Sequence, residues 1–349
     1  MENRKLQIAD YCISDENKPF VIAEIGANHQ GSVESCENLF ELAAKAGVDA
    51  VKLQKRENRE LFMPSMFDQP YIGPTSFAAT YGLHREFLEF NLDQYKHLQK
   101  FAIKLGLIFF ATATDKKSID FLIDLKVPAI KIASADLYST PLIRYASKSG
   151  LPLIMSTGGS DQSNVDRAMS FVDPRKVGLL QCTATYPANA EDMNLNVITT
   201  FRDRYPETVI GLSSHDRGIS FPVIATALGA RIIEKHFTSD RSLKGTDHSF
   251  SLEPAGMERM CRDLKNTLLA MGSFEKSIVP GEIQIIKKFG KMIVYSKNLS
   301  QGKILEEEDL EIRAPMDGEH AFRFDEVIGK KLKKNVLELT PIKFSDFSA

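Results

Sequence analysis

Short apolar runs alternate with amphipathic stretches from residue 20 to about residue 272. Each run is rich in β-branched and other apolar residues, which is the pattern of a buried strand. The stretches between the runs repeat apolar residues at helical spacing, and several end at a glycine that suits a helix C-terminus. The pattern predicts eight strands, at residues 20–29, 49–56, 107–114, 129–135, 152–158, 177–187, 209–216 and 231–238.

Eight successive strand-then-helix units over about 250 residues match the number and length of the units in a TIM barrel. We therefore predict an α/β chain that folds as a (β/α)8 TIM barrel. In that fold the active site lies at the C-terminal ends of the strands. A doubly wound open sheet is the alternative, and the number of strands alone does not exclude it.

The pattern changes after residue 272. Residues 276–289 resemble a connecting segment, and residues 290–349 hold short apolar bursts separated by Gly, Pro and charged residues. This pattern is typical of a small, mostly β domain. We predict a barrel domain at 1–275, a linker at 276–289 and a small domain at 290–349. A domain of that size would gain stability by docking on a larger one.

Polar residues gather at the C-terminal ends of several predicted strands. Because alternate side chains of a strand face the same way, residues two apart share a face of the sheet. A buried polar group without a partner costs about 1–3 kcal/mol, so their concentration at one end predicts a polar mouth. The groups are Glu24 with Asn28, Lys52 with Gln54 and Arg56, Thr112 with Thr114, Ser213 with His215, and Glu234 with His236.

Composition narrows the choice of partners and location. The 349 residues are 43% hydrophobic with a formal net charge of −2, so the chain offers no basic surface for nucleic acid or an anionic membrane. No stretch reaches the roughly 18 apolar residues of a membrane span, and the first twenty residues lack a signal-peptide core. The four cysteines show no CxxC spacing, which argues against a zinc knot or a disulfide framework. We expect a cytoplasmic protein.

His215 and His236 end two consecutive predicted strands. A single histidine at a strand end is more often a hydrogen-bonded structural residue than a metal ligand. Two at neighbouring strand ends favour a shared metal ion instead. Imidazole suits Mn²⁺ as well as Zn²⁺, and two protein ligands leave positions open for water and a substrate oxygen.

The chain resembles the sialic acid synthase family, and its tail resembles that family's antifreeze-like SAF domain. The resemblance runs over nearly the whole chain, in order. It implies that phosphoenolpyruvate condenses with an open-chain N-acylated hexosamine, N-acetylmannosamine or its 6-phosphate, to give a nine-carbon sialic acid and phosphate. The motifs that carry it are "EIGANHQG", "ATYGLHREFLEF", "KIAS", "STGG", "QCTATYP", "EDMNL", "GLSSHD", "EKHFT" and "KGTDHSFSLEP".

The resemblance also implies a cofactor, a partner and site residues. Family members use a divalent metal, usually Mn²⁺ with Mg²⁺ or Co²⁺ as alternatives. The resemblance assigns that metal to His215 and His236. Family members form homodimers in which each SAF domain closes the partner's barrel, where Arg313 would reach the sugar. The alternative is that Arg313 is an ordinary surface cation. The remaining implied residues are Glu24 and Glu234 for acid–base work, Lys52, Thr112, Lys131, Ser134 and Ser213 for phosphoenolpyruvate, and Gln54, Asp136, Tyr186 and Asp247 for the sugar.

Some expectations remain open. Glu234 has a plain alternative as the partner of a lysine, and Tyr186 has one as a core aromatic. Asp136, Ala184 and Ser214 depart from residues common in the family, which bears on substrate choice more than on the reaction. A 6-phosphate could be bound by cations near the mouth, namely Arg56, Arg85 and Lys244.

Two other functions compete with the sialic acid synthase. A pseudaminic or legionaminic acid synthase would keep the chemistry and change the sugar. A non-catalytic binding protein is the second alternative, because the SAF domain resembles type III antifreeze proteins. The presence of both histidines and both lysines argues against a protein without catalytic activity.

Overall fold

The computed structural model describes residues 4–348 and divides into two compact units, at residues 4–272 and 273–348. In the first unit a closed, fully parallel barrel confirms the predicted TIM barrel, and its closure excludes the open doubly wound sheet. All eight predicted strands are present, each shorter than its apolar run. The barrel strands are β3 (Phe20–Glu24), β4 (Ala50–Lys55), β5 (Ile108–Ala113), β6 (Ile130–Ile132), β7 (Leu153–Ser156), β8 (Val177–Cys182), β9 (Val209–Ser214) and β10 (Ile232–His236).

One helix follows each barrel strand, and three short helices fill the long connection after β4. Polar caps start several of them, because the first backbone N–H groups of a helix need acceptors. Asn91 forms a capping box with Gln94, for example. The helices are α1 (Val33–Lys45), α2 (Asn58–Leu61), α3 (Pro64–Phe67), α4 (Tyr81–Phe87), α5 (Leu92–Lys104), α6 (Lys116–Asp124), α7 (Thr140–Ser147), α8 (Gln162–Met169), α9 (Val197–Arg204), α10 (Ser220–Ala227) and α11 (Pro254–Met271).

An N-terminal hairpin, which the sequence analysis did not predict, precedes the barrel. Strands β1 (Lys5–Ile8) and β2 (Tyr11–Ser14) pair antiparallel. Leu6 belongs to the barrel's apolar core and lies beside Gly178, near the start of β8. A Cβ at Gly178 would lie 2.5 Å from Ile232 Cδ1 and 3.3 Å from Leu6 Cδ2, so a larger residue would displace these side chains. The hairpin therefore packs against the amino-terminal end of the barrel, opposite the predicted site.

The second unit has its own apolar core, which includes Ile293, Tyr295 and Ile342. It contains α12 (Ile283–Phe289), β11 (Met292–Tyr295), β12 (Leu310–Arg313) and α13 (Phe324–Val327). Strands β11 and β12 pair antiparallel, and isolated bridges join further extended segments, as expected for a small β domain. The segment predicted as a linker is partly helical, since α12 lies in it.

Two further features of the described chain concern its helices and its cysteines. Within residues 4–348, no helix is both long and apolar enough to cross a membrane. All four cysteines are free thiols.

Asp15 follows the hairpin and anchors it through two arginines. Its carboxylate accepts hydrogen bonds from Arg202 at 2.8 and 3.1 Å and from Arg4 at 3.0 Å. Burial alone would raise the pKa of Asp15, but the hydrogen bonds and charges of Arg202 and Arg4 outweigh it and hold the pKa below its ordinary value. A carboxyl whose pKa is lowered by folding stabilises the fold above its unfolded pKa, and that contribution is lost as the pH falls through the folded value.

We expect Asp15→Asn to lower the free energy of unfolding at pH 7 by about 1.5–3 kcal/mol, since hydrogen bonds to a charged group are lost. The difference in the free energy of unfolding between the variant and wild type should become smaller below about pH 4, because the wild-type carboxylate becomes protonated there. Urea unfolding followed by circular dichroism, at pH 7 and at pH 3, measures both effects. Equal stabilities at pH 7 would contradict this account of the hairpin.

Candidate active site

A cavity of about 400 Å³ opens at the C-terminal ends of the barrel strands. Its wall is built from the polar strand ends that the alternation of side chains predicts. Most of the residues assigned by family resemblance lie on this one surface, although they come from every part of the barrel sequence. The lining includes Glu24, Lys52, Gln54, Arg56, Arg85, Thr112, Lys131, Ser134, Ser156, Tyr186, Ser213, His215, Glu234, His236, Asp247 and Phe250.

Lys52 and Lys131 form the cationic floor of the cavity, and each is only 2% exposed. Lys52 Nζ lies 2.5 Å from Glu24 Oε2 and donates to Thr112 Oγ1 at 2.8 Å. Lys131 Nζ donates to Ser156 Oγ at 2.6 Å and lies 3.8 Å from Glu234 Oε1. Burial lowers the pKa of Lys131. Lysines buried to this extent need an anion or a dense set of acceptors.

The two buried carboxyl groups, Glu24 and Glu234, have opposite pKa shifts. Burial raises the pKa of Glu24, and the charge of Lys52 offsets this only in part. Burial also acts to raise the pKa of Glu234, but Lys131, Lys52 and His236 outweigh it and lower that pKa. Ser213 donates to Glu234 Oε1 at 3.1 Å, and Gln54 donates to Glu24 Oε1 at 2.6 Å. Carboxyl groups with divergent pKa values can take the separate roles of acid and anion.

His215 and His236 meet at the mouth. His236 ends β10, His215 directly follows β9, and their ring centroids lie 5.4 Å apart. His215 Nδ1 donates to Thr183 O at 2.8 Å, which leaves Nε2 with its lone pair. Burial lowers the pKa of His236, so its ring is neutral at ordinary pH. The His236 ring is therefore in the protonation state that binds metal ions, and the bond to Thr183 leaves Nε2 of His215 as the nitrogen that can face one.

The histidine pair fits a metal ion held by only two protein ligands. His236 Nδ1 and Glu234 Oε2 are buried and have no hydrogen-bond partner among residues 4–348. Over the same residues, no group of three or more His, Cys, Asp or Glu side chains is arranged to hold a metal. The remaining ligands of a metal here would have to be water or substrate oxygen, as in catalytic sites that keep open positions.

Aromatic rings flank the two histidines. The Tyr186 ring centroid lies 4.2 Å from that of His215, and the Phe250 ring centroid lies 5.0 Å from that of His236. Tyr186 is 56% exposed, so it is a wall of the mouth and not a core aromatic. Phe250 was not predicted, because it lies in a 3-10 turn (His248–Phe250) with no alternation to place it.

Arg56 and Arg85 form the outer rim of the cavity. Arg56 donates to Gln54 Oε1 and lies 4.0 Å from Glu89 Oε1, and the other oxygen of that carboxylate pairs with Lys55. Arg85 Nε donates to Tyr81 OH at 3.1 Å and forms no ion pair within the described chain. Burial and the charge of Arg85 lower the pKa of Arg56. The rim thus holds two cations whose charges are only partly neutralised by ion pairs.

Gly26 keeps this rim open. Its φ of +53° lies in the left-handed region that favours glycine, and a Cβ there would lie 3.1 Å from Asp247 Oδ2. Asp247 Oδ2 lies 3.8 Å from His236 Nδ1. The carboxylate at the end of the last barrel loop thereby reaches the histidine pair.

Two residues expected near the sugar, Asp136 and Lys244, do not line the cavity. Asp136 ends the 3-10 turn Ser134–Asp136, and burial raises its pKa to about 6 despite Arg56 and Lys131. Lys244 Nζ lies 4.8 Å from the ring of Phe77. Arg313 belongs to the second unit, where it is exposed and pairs with Glu311.

Ser134 lines the cavity together with Lys131, although simple alternation puts them on opposite faces. Strand β6 ends at Ile132 and the 3-10 turn starts at Ser134, so the chain leaves the strand geometry between them. Ser156, the hydrogen-bond acceptor of Lys131, was not predicted. It ends β7, and its position as the last polar residue of a strand is the signal that could have identified it.

Comparison with known proteins places this site in a family. The NeuB family model matches residues 39–276, and the SAF domain model matches residues 290–348. The chain belongs to the NeuB family. It is 36% identical to N-acetylneuraminate-9-phosphate synthase of Homo sapiens, over 84% of this chain and 82% of that protein. It is 32% identical to N,N'-diacetyllegionaminic acid synthase of Campylobacter jejuni, over 92% and 98% of the two chains.

A solved NeuB-type structure shares the fold. N-acetylneuraminic acid synthetase from Leptospira borgpetersenii matches with a TM-score of 0.72 and 30% identity, over 81% of this chain and 95% of that one. The family model covers the barrel strands from β4 to β10, which carry most of the cavity wall. This NeuB-family chain is therefore an enzyme of the phosphoenolpyruvate-dependent, C–C bond-forming type, with a C-terminal SAF domain.

Removing one member of the Lys52–Glu24 pair should destabilise the NeuB-type barrel. Lys52→Met leaves Glu24 buried without its cation, and we expect the free energy of unfolding to fall by about 3 kcal/mol. The double variant Lys52→Met/Glu24→Gln should regain most of this, because neither charge remains. Urea unfolding followed by circular dichroism measures all three proteins. A double variant less stable than Lys52→Met would show that the pair is not coupled as described.

Proposed function

We propose that this enzyme joins C3 of phosphoenolpyruvate to the aldehyde carbon of an open-chain N-acylated hexosamine. The aldehyde oxygen takes up a proton, and water supplies the oxygen with which the phosphate ester is hydrolysed. The products are a nine-carbon 2-oxo sugar acid and inorganic phosphate. The observation that carries the proposal is the combination, at one barrel mouth, of two buried lysines, two carboxyl groups of divergent pKa and a pair of adjacent histidines.

Phosphoenolpyruvate carries a carboxylate and a phosphate, so its site must supply several positive and hydrogen-bonding groups. Lys52 and Lys131 offer the charges, and the hydroxyls of Thr112 and Ser156 already contact their ammonium groups. Ser134 and Ser213 line the same floor. A bound anion would favour the charged form of Lys131, whose pKa burial lowers.

The two carboxyl groups divide the proton chemistry in this proposal. Glu24 holds its proton more readily than an ordinary carboxyl, which suits a donor to the aldehyde oxygen. Glu234 stays ionised between Lys131 and Ser213, which suits a group that orients water or accepts a proton. Asp247 and Gln54 at the rim are placed to accept from and donate to sugar hydroxyls.

His215 and His236 would hold a divalent cation, for which we propose Mn²⁺, with Mg²⁺ and Co²⁺ as alternatives. Such an ion, when bound, supplies Lewis-acid polarisation of the aldehyde. The neutral state of His236 and the bond from His215 to Thr183 support this role, because they leave ring lone pairs free for a metal.

N-acetylmannosamine or its 6-phosphate is the acceptor we propose, and the rim cations favour the phosphorylated form. Arg56 and Arg85 come together with few anions, and a guanidinium binds phosphate through paired donors. Arg56 directly follows β4 and lies four residues beyond Lys52, which is about 13 Å of extended chain. That separation leaves space for phosphoenolpyruvate on the floor and a sugar phosphate at the rim.

A legionaminic or pseudaminic acid synthase is the second candidate. The 32% identity with the legionaminic acid synthase supports it, since the shared floor would serve either sugar. Asp136 differs from the residue that is common in the family and was expected to contact the sugar. It does not line the cavity, so this difference leaves the cavity floor unchanged. A binding protein without catalysis is disfavoured by the intact floor and histidine pair.

The homodimer and the cytoplasmic location stay predictions. In the proposed dimer each SAF domain closes the partner's barrel, and Arg313 reaches the sugar there. Support comes from Arg313 itself, whose side chain is 56% exposed and pairs only with the nearby Glu311 within the described residues. Phosphoenolpyruvate and the N-acylated sugar are the proposed small-molecule partners.

We expect metal-dependent phosphate release. Purified enzyme with phosphoenolpyruvate and either form of the sugar should release phosphate, lose the activity on chelation and regain it with Mn²⁺. His236→Gln should lower the turnover by at least about a hundredfold with an unchanged melting temperature. His97→Gln, an exposed histidine on α5 that pairs with Glu37, is the matched control and should be fully active.

Full activity after chelation, or in His236→Gln, would contradict the metal assignment. Release of phosphate that does not depend on any sugar would contradict the condensation itself. The first result would show that the metal is dispensable, and the second that the sugar is dispensable.

Arg85→Met should reduce the preference for the phosphorylated sugar. We expect kcat/KM for N-acetylmannosamine 6-phosphate to exceed that for N-acetylmannosamine in wild type, and the ratio to fall at least about tenfold in the variant, because a charge-assisted pair is lost. Arg262→Met, an exposed arginine on α11, is the control with an unchanged ratio. A wild-type preference for the unphosphorylated sugar would rule out the phosphate site.

A further inference from the structure

A second buried ion pair lies behind the histidines, outside the cavity. Lys235 is 1% exposed and Asp216 is 5% exposed. Lys235 Nζ donates to Asp216 O at 2.5 Å and also to Asp216 Oδ1. Neither residue lines the cavity, and neither has a part in the function proposed above.

The Asp216 carboxylate joins β10 to the loop that follows β9. It accepts from Ser214 Oγ through Oδ1 and from the backbone N–H of Gly218 through Oδ2, the latter at 2.7 Å. These two donors lie on either side of His215. The carboxylate therefore holds the loop on both sides of that histidine and ties it to the lysine next to His236.

The register of the two strands explains why this tie is needed. Ser214 and Lys235 are the last paired residues of the β9–β10 ladder. His236 continues in register against Glu24 on β3, but His215 lies beyond the end of β9. The ladder by itself thus leaves the position of His215 relative to His236 undetermined.

The inner and outer faces of this strand pair are both cross-linked. On the inner face Ser213 donates to Glu234, and on the outer face Lys235 pairs with Asp216. His236 directly follows Lys235, and His215 lies between Ser214 and Asp216, which are joined by a hydrogen bond. The outer linkage is the one closest in sequence to both rings.

Stability alone gives little reason for charges at this place. Desolvating two charges is costly, and an apolar pair of similar size is often as stable or more so. The ion pair instead fixes the position of the loop that carries Asp216. Lys235 can make its hydrogen bonds to Asp216 only when that loop is in one position. An apolar contact would allow the loop to slide.

We propose that Lys235 and Asp216 are positioning residues that hold His215 at the distance from His236 that a shared metal ion requires. This rests on the metal part of the proposed function. The pair contacts neither substrate nor metal. It acts through the backbone on either side of the two histidines.

Metal affinity tests the proposal directly. Mn²⁺ binding to the full chain, measured by electron paramagnetic resonance of the free ion, should weaken about 10–100-fold in Lys235→Met and in Asp216→Asn. Lys235→Arg keeps the charge and should lose less affinity than Lys235→Met, although the larger guanidinium has to fit a site that is 1% exposed. Ser214→Ala removes one bond only, and its loss of affinity should be smaller than that of Asp216→Asn.

Asp15→Asn is the matched control. It breaks a partly buried ion pair in the same unit, at the opposite end of the barrel, and should lower the melting temperature without changing the Mn²⁺ dissociation constant. Ser214→Ala keeps the test decisive if Lys235→Met does not fold, because it leaves the ion pair intact.

The possible outcomes distinguish failure of this inference from failure of the proposed metal site. If wild type binds Mn²⁺ and the folded variants bind it equally well, the pair is merely structural and this inference is overturned while the metal site stands. If wild type binds no Mn²⁺, the proposed metal site fails and the inference fails with it. Weakened binding in the variants, with an unchanged constant in Asp15→Asn, supports positioning.

Discussion

Closure of the barrel by pairing of β10 with β3 is the constraint on which the site depends. The register of this pair sets His236 beside Glu24, residues from the two ends of the barrel sequence. An open sheet built from the same strands would leave these edges apart and would separate the carboxyl group from the histidines. Because all eight strands are parallel, closure also brings every polar strand end to one mouth.

Within that closed wall, burial of charge organises the chemistry. Lys52 lies against Glu24, Lys131 lies near Glu234, and all four side chains are almost fully enclosed. Low exposure makes each pKa sensitive to the neighbouring charges, so two residues of the same type acquire different proton affinities. Moving outward, the charge balance changes, and Arg56 and Arg85 leave the rim positive. The cavity therefore has a deep part and an outer part with different preferences for ligands.

Alternation along the strands predicted much of this wall and missed residues for identifiable reasons. Lys52 with Gln54, and Glu234 with His236, are predicted because they lie on regular strands. Ser134 defied the rule because the chain turns after β6. Phe250 and Arg85 come from loops or inserted helices, whose direction no periodicity encodes. The N-terminal hairpin was overlooked because no helix follows either of its strands, so they lie outside the strand-then-helix pattern from which the barrel was predicted.

The sequence by itself determined the number and order of the strands, the TIM-barrel class, the polar character of the C-terminal mouth and, through its motifs, the NeuB family. These follow from local periodicity and from residue types, which one chain displays directly. Only the tertiary structure decided which charges meet, which carboxyl group keeps its proton, and that Asp136 lies outside the cavity wall while Ser156 lies within it. Those properties depend on distances and desolvation between segments far apart in sequence, and no local pattern contains them.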